Sequence, residues 1–177
     1  MILRLLSLLI GSCLINAEVF SESPEIFGTK GMVIDAGSGG SRLHVFTWQP
    51  RVFSTIPPPI TIPEANELWT GRMAPGIDSL ALTPELVAGY LQPLIDFAKV
   101  TLGGFESEFK NYPIYFKATG GMRELEVNSR ENLLRAIRAY LSDKTQCPFY
   151  FRSDFARVIS GKYNAPCFNI MLMNHNR

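Results

Sequence analysis

The chain has 177 residues, 46% of them hydrophobic and 19% charged, which suits one globular unit with its own core rather than two. Lysine and arginine number 17 against 16 acidic residues, so a net charge of +1 gives no electrostatic reason to expect nucleic acid as the main partner. Two histidines, His44 and His175, and three cysteines without clustering exclude a Cys/His metal module.

The chain begins with one basic side chain, Arg4, and an apolar run over residues 5–15 that ends at Asn16-Ala17. That layout predicts a secretory signal peptide over residues 1–17, cut after Ala17, with residues 18–30 as a short linker. A bilayer-spanning helix needs about 20 apolar residues, and this run is shorter. The other reading is a buried amino-terminal helix. In an oxidising compartment Cys147 and Cys167 could pair, or either could seek another partner; no Asn-X-Ser/Thr acceptor supports secretion independently.

Residues 31–35 read as a short buried strand and residues 42–48 as a second, joined by the Gly-rich segment 36–41. Residues 49–63 carry Pro50, Pro57, Pro58, Pro59 and Pro63 and are expected to form an exposed loop. Thr83-Pro84-Glu85 marks a helix start, and Leu86, Tyr90, Leu91, Leu94 and Ile95 give it an apolar stripe; Pro93 is expected to kink or split it. Residues 113–119 form the next expected strand. A second helix follows, with Asn128 and Glu131 as a capping box and Leu133, Leu134, Ile137, Tyr140 and Leu141 as its stripe. Residues 149–151 and 155–159 are expected strands. Alternating strands and helices predict an α/β lobe without internal repeats.

Two segments carry chemistry. In Asp35-Ala36-Gly37-Ser38-Gly39-Gly40-Ser41-Arg42, consecutive glycines and serines let backbone N–H groups converge on an anion, and Arg42 adds positive charge. Asp35 stands where a carboxylate could hold a divalent cation or its waters against phosphates. Alone, the same pattern also fits a Gly-rich hairpin turn with an ordinary aspartate. The second segment, Lys117-Ala118-Thr119-Gly120-Gly121-Met122-Arg123-Glu124-Leu125, again takes a strand through a Gly-rich turn towards a helix, and by itself also fits a tightly packed strand-to-helix connection.

Taken together, these two segments resemble the first and second conserved regions of the apyrase, or ectonucleoside triphosphate diphosphohydrolase, family. Ala74-Pro75-Gly76-Ile77 and Leu94-Ile95-Asp96-Phe97-Ala98 between them match as well, and the resemblance spans residues 31–161. Gly120 departs from it, since the family usually has alanine there. The resemblance implies an actin-like (ribonuclease H-like) lobe of a two-lobed nucleotidase, with nucleotide held between lobes and water attacking the terminal phosphate without a phosphoenzyme. It implies Ca²⁺ or Mg²⁺ as cofactor. By motif, Ser38, Gly39, Gly40, Ser41 and Arg42 would hold the phosphates with Thr119 nearby, and Asp35 would hold the metal through its waters.

Arg157-Val158-Ile159-Ser160-Gly161 resembles the start of the third conserved region, which in the family continues to a glutamate that activates the water. Here Lys162-Tyr163-Asn164-Ala165-Pro166-Cys167 follows, and no acidic residue appears after Gly161. No catalytic residue is therefore assigned. Residues 162–177 read as a divergent tail, as a splice variant, retained intron or faulty gene model would produce. The expectation is a nucleoside tri- or diphosphate hydrolase by family, present as a first lobe with one phosphate loop; its alternative is a fragment that binds nucleotide phosphate weakly and turns nothing over. A relative among other actin-like ATPases is a third reading, which the leader-like start and the 117–125 motif oppose. Secreted, luminal and surface-bound locations all remain compatible, and membrane association is undecided.

Overall fold

The computed structural model describes residues 29–48 and 64–160. The leader-like segment, the proline-rich stretch 49–63, Gly161, and the tail with Cys167 and His175 lie outside them. Five strands form one sheet in the order β3-β2-β1-β4-β5. β1 (Lys30–Gly37) turns back into β2 (Gly40–Thr47), and β2 pairs antiparallel with the edge strand β3 (Glu64–Met73). β4 (Ile114–Ala118) joins β1 in parallel, and β5 (Ala156–Val158) joins β4 in parallel.

Helix α1 (Val87–Leu102) connects β3 to β4, while α2 (Gly120–Glu124) and α3 (Val127–Ser142) lie between β4 and β5. Both crossovers move in the same direction across the sheet, so right-handed connections put α1 and α3 on one face. The two helices touch through a 2.9 Å hydrogen bond from Tyr140 Oη to Gln92 Oε1. That face is the core: Met32, Ile34, Leu43, Ile114, Phe116 and Ala156 are fully buried beneath Leu91, Leu94, Ile95, Leu133 and Ile137. The alternation of two explains the other face, where the same strands present Asp35, Arg42 and Lys117.

Several expectations change in detail. Pro93 does not split α1, which runs on through it. The proline sits on the exposed side, and its cost of about 3 kcal/mol is outweighed by a stripe of seven buried residues from Val87 to Leu102, at about 1.5–3 kcal/mol for each large apolar side chain. Thr83 makes no side-chain cap; a single 3₁₀ turn, Pro84–Leu86, leads into the helix, and Leu86 is exposed. α3 is capped by Glu126 and not by an Asn128 box, because the Glu126 carboxylate accepts the Ser129 N–H at 3.2 Å. Residues 149–151 form no strand. Only the Pro113–Tyr150 bridge joins them to the sheet, and Phe149 goes into the core. Strand β3 has no counterpart among the expected elements.

Candidate phosphate-binding site

β1, β4 and β5 run in parallel, so their carboxyl ends open on one rim, the place where α/β sheets hold ligands. Three segments meet there. The first is the hairpin turn between β1 and β2, which closes on the Gly37–Gly40 pair with Ser38 and Gly39 exposed at its tip. Gly40 has a φ of +151°, and a side chain on it would strike the Met73 carbonyl oxygen at 2.5 Å. The expected six-residue loop is thus a two-residue turn at the end of two eight-residue strands.

The second segment is the end of β4. Thr119 donates its backbone N–H to the Ala36 carbonyl at 2.9 Å and its hydroxyl to the same oxygen at 3.3 Å, fixing the second Gly-rich loop beside the first. The glycines open α2 directly, and a Cβ on Gly120 would have only Ser38 Oγ nearby, at 4.0 Å. The third segment is the turn 74–78, whose Ala74–Pro75 peptide is cis. Gly76 lies so close that a Cβ there would come within 2.5 Å of the Ser38 carbonyl and 2.7 Å of the Gly37 carbonyl.

Asp78, on the 3₁₀ turn Ile77–Leu80, wedges its carboxylate between Gly76 and Gly121. Its Oδ1 is buried with no hydrogen-bond donor. A lone acceptor in this position is costly; it packs the 74–78 turn against the second Gly-rich loop, while Gly76 packs the same turn against the first. Tyr90 on α1 supports the same junction: its hydroxyl lies 2.6 Å from the Pro75 carbonyl oxygen and 3.1 Å from Ser41 Oγ. Burial raises the Tyr90 pKa, keeping the phenol neutral as a donor.

These segments line an open cleft of about 530 Å³ formed by Asp35, residues 37–42, Arg72, Met73, Ala74 and Thr119. The sequence-derived residues Ser38, Gly39, Gly40, Arg42 and Thr119 are therefore together. Ser41 lines the cleft too; its side chain is fully buried, and its Oγ accepts from the Tyr90 hydroxyl at 3.1 Å. Asp35 is the only carboxylate among the cleft residues, and no group of three acidic, histidine or cysteine side chains gathers among the described residues. This donor set does not fit a resident metal cage. It fits a divalent ion held largely by water and phosphate oxygens, with Asp35 as an outer partner.

Strand pairing also produces a row that sequence reading missed. Arg72 is opposite Arg42, Arg42 opposite Asp35, Asp35 opposite Lys117, and Lys117 opposite Arg157. One carboxylate thus lies among four cations on the face away from the helices. Lys117 is buried, with its Nζ 5.5 Å from the centre of the Tyr115 ring. Burial, with Arg157 adding to it, pulls its pKa down to about 8.

Comparison with known proteins identifies the relationship. The model of the GDA1/CD39 (nucleoside phosphatase) family matches residues 28–167. The chain belongs to this family. It is 33% identical over 121 residues to the Golgi apyrase of Saccharomyces cerevisiae, covering 60% of this chain and 18% of that protein. Probable apyrase 3 of Arabidopsis thaliana is 35% identical over 130 residues, covering 73% of this chain and 25% of its own length. Ectonucleoside triphosphate diphosphohydrolase 4 of Mus musculus is 32% identical over 137 residues, covering 75% and 21%. The chain thus spans a quarter or less of these relatives. Among solved structures, the nucleoside triphosphate hydrolase of Neospora caninum superposes with a TM-score of 0.52 at 17% identity, over 75% of this chain and 29% of that one. The fold is the α/β, actin-like (ribonuclease H-like) one.

Proposed function

We propose that this chain supplies the first phosphate-binding wall of an apyrase-type nucleoside tri- or diphosphate hydrolase, and that it takes the terminal phosphate of a nucleotide accompanied by Ca²⁺ or Mg²⁺. The observation that carries the reading is the junction of the two Gly-rich loops: Thr119 bonded to Ala36, Gly120 facing Ser38, and Arg42 one residue pair below the Ser41 backbone, all in one cleft. Ser38 and Gly39, exposed at the tip, and the half-buried Gly40 beside them would offer donors, Arg42 offers a guanidinium that matches phosphate geometry, and Ser41 backs the turn from the buried side. Asp35 would hold the ion through its waters, and the ion would neutralise charge on the transferring phosphoryl group.

Hydrolysis further requires a positioned carboxylate to take a proton from water, worth about 10²–10⁴-fold. The last acid in the chain is Asp154, and it is spent on Arg152 and Arg157 at 3.2 and 3.5 Å. Binding is therefore the activity proposed for the 177-residue chain itself, with turnover dependent on a carboxylate from elsewhere. The proposal assigns the chain to the secretory pathway, a reading supported by its leader-like start and by the printed name of the Golgi relative.

The test is an amide-resonance titration of the chain with ADP and ATP in Ca²⁺ or Mg²⁺, alongside a phosphate-release assay. Metal-dependent shifts at Gly39, Gly40 and Arg42, abolished in Arg42→Ala, with no phosphate released, are the expected result. Silent loop resonances would overturn the binding site; metal-dependent release by the chain alone would overturn the separation of binding from turnover.

A further inference from the structure

Arg72 is the unexplained member of the cleft. It lies on the edge strand β3, is exposed, and stands directly opposite Arg42 in the β2–β3 pairing. Like charges directly opposite one another on a sheet repel and destabilise the pair. Among the described residues neither arginine makes a hydrogen bond or an ion pair that would offset this. The nearest carboxylate in the row, Asp35, is on the far side of Arg42 and forms no ion pair with it. Two unpaired guanidinium groups at the wall of one cleft call for an anion from outside.

Their place in the sheet says which anion. The exposed donors of the hairpin tip begin at the Gly37–Gly40 pair, and Arg42 is two residues further along β2. At about 3.3 Å per residue and about 4.8 Å between strands, the Arg72 backbone is roughly 8 Å diagonally from the turn. A single phosphoryl group seated on the turn amides leaves Arg72 facing solvent, whereas a chain of phosphoryl groups running from the turn across Arg42 towards β3 meets both guanidiniums. Thr119 and the second loop close the opposite side, so β3 is the open direction.

We infer that Arg72 is a specificity-determining residue that pairs with Arg42 to bind the second phosphoryl group of the substrate, selecting phosphoanhydride chains over single phosphates. This rests on the phosphate-binding reading above. Arginine suits the role because its planar fork gives two parallel N–H···O bonds to a phosphate. Lysine at the same place would supply the charge without the fork.

The experiment titrates the 177-residue chain, and its Arg72→Gln and Arg72→Lys variants, with inorganic phosphate and with pyrophosphate in Mg²⁺. Loop amide and arginine Nε–H resonances give the affinities. The wild type is expected to bind pyrophosphate about tenfold more tightly than phosphate, a step of about 1.4 kcal/mol. Arg72→Gln should reduce that ratio to about two while leaving inorganic phosphate binding within about twofold, and Arg72→Lys should restore it only in part. A pyrophosphate affinity unchanged in Arg72→Gln, or an equal loss for both anions, would overturn the inference while leaving the loop site standing. Full restoration by lysine would overturn the forked contact. Failure of both anions to move the wild-type loop resonances would take down the phosphate-binding reading as well.

Discussion

Replacing Gly121 by alanine should destabilise the fold far more than the same change at its neighbour Gly120. A Cβ at Gly121 would lie 2.4 Å from Asp78 Oδ1, 2.5 Å from its Cγ and 2.8 Å from Oδ2. Rotating the carboxylate cannot clear all three contacts. The turn that carries Asp78 cannot retreat either, because its Ile77 is 1% exposed within the core. Overpacking of this kind costs about 1–3 kcal/mol. At Gly120 the new methyl would meet nothing closer than Ser38 Oγ at 4.0 Å, and alanine in a helix is favoured over glycine by up to about 1 kcal/mol. The two variants should therefore differ by roughly 2–4 kcal/mol in urea denaturation followed by far-ultraviolet circular dichroism. Adding Asp78→Ala to Gly121→Ala should recover much of the loss, with a coupling of about 1–3 kcal/mol. Equal stabilities for the two single variants, or additivity in the double one, would refute the wedge.

Gly89 lies within α1 with nothing within 4 Å of its would-be Cβ; Gly89→Ala should raise stability by about 1 kcal/mol, measured by thermal unfolding. Lys117→Met should be more stable than wild type at pH 7, and the difference should shrink as pH rises. The folded-state lysine loses its proton near pH 8 while the unfolded one keeps it until about 10.5, so the unfolded chain binds more protons between them and wild-type stability climbs through that window, by up to about 3 kcal/mol. Denaturation of both proteins from pH 7 to 10.5 checks it, and a difference that stays constant would show that the ammonium is not desolvated. Cys147 is fully buried and carries no disulfide, and burial pushes its thiol up to about 11. Alkylation mapped at this residue should be at least about a hundredfold slower in the native chain than in urea.

The strands β1, β2 and β4 and the faces of α1 and α3 were legible because each is written in a local period: Met32, Val33 and Ile34 in a run, then Leu91, Leu94 and Ile95 a turn apart. β3 was not. Its sequence, EANELWTGRM, has one β-branched residue and no alternation, and it becomes a strand through pairing with β2 rather than from its own preference. The Gly-rich loops announced a place where backbone approaches something closely, yet their shape was misjudged, since a two-residue turn is set by the β1–β2 register and not by the count of glycines. Arg72 and Asp78 were invisible for the same reason. One is brought to the cleft by a strand pairing about 30 residues away in sequence, and the other by a turn that touches both loops at once.

The link between α2 and β5 has a consequence in time. Arg123 Nη1 donates to the Ile159 carbonyl at 3.0 Å, and the Ile159 N–H donates to the Ala118 carbonyl at 2.9 Å. The second loop, between Ala118 and Arg123, is thereby strapped at both ends to the last described residues of the chain. A polypeptide made from its amino terminus produces the first hairpin early, but the strap arrives more than a hundred residues later. The two halves of the cleft therefore draw on different lengths of chain: the turn at Ser38 has its packing partners by Tyr90, while the loop at Thr119 needs the chain as far as Ile159 for its strap.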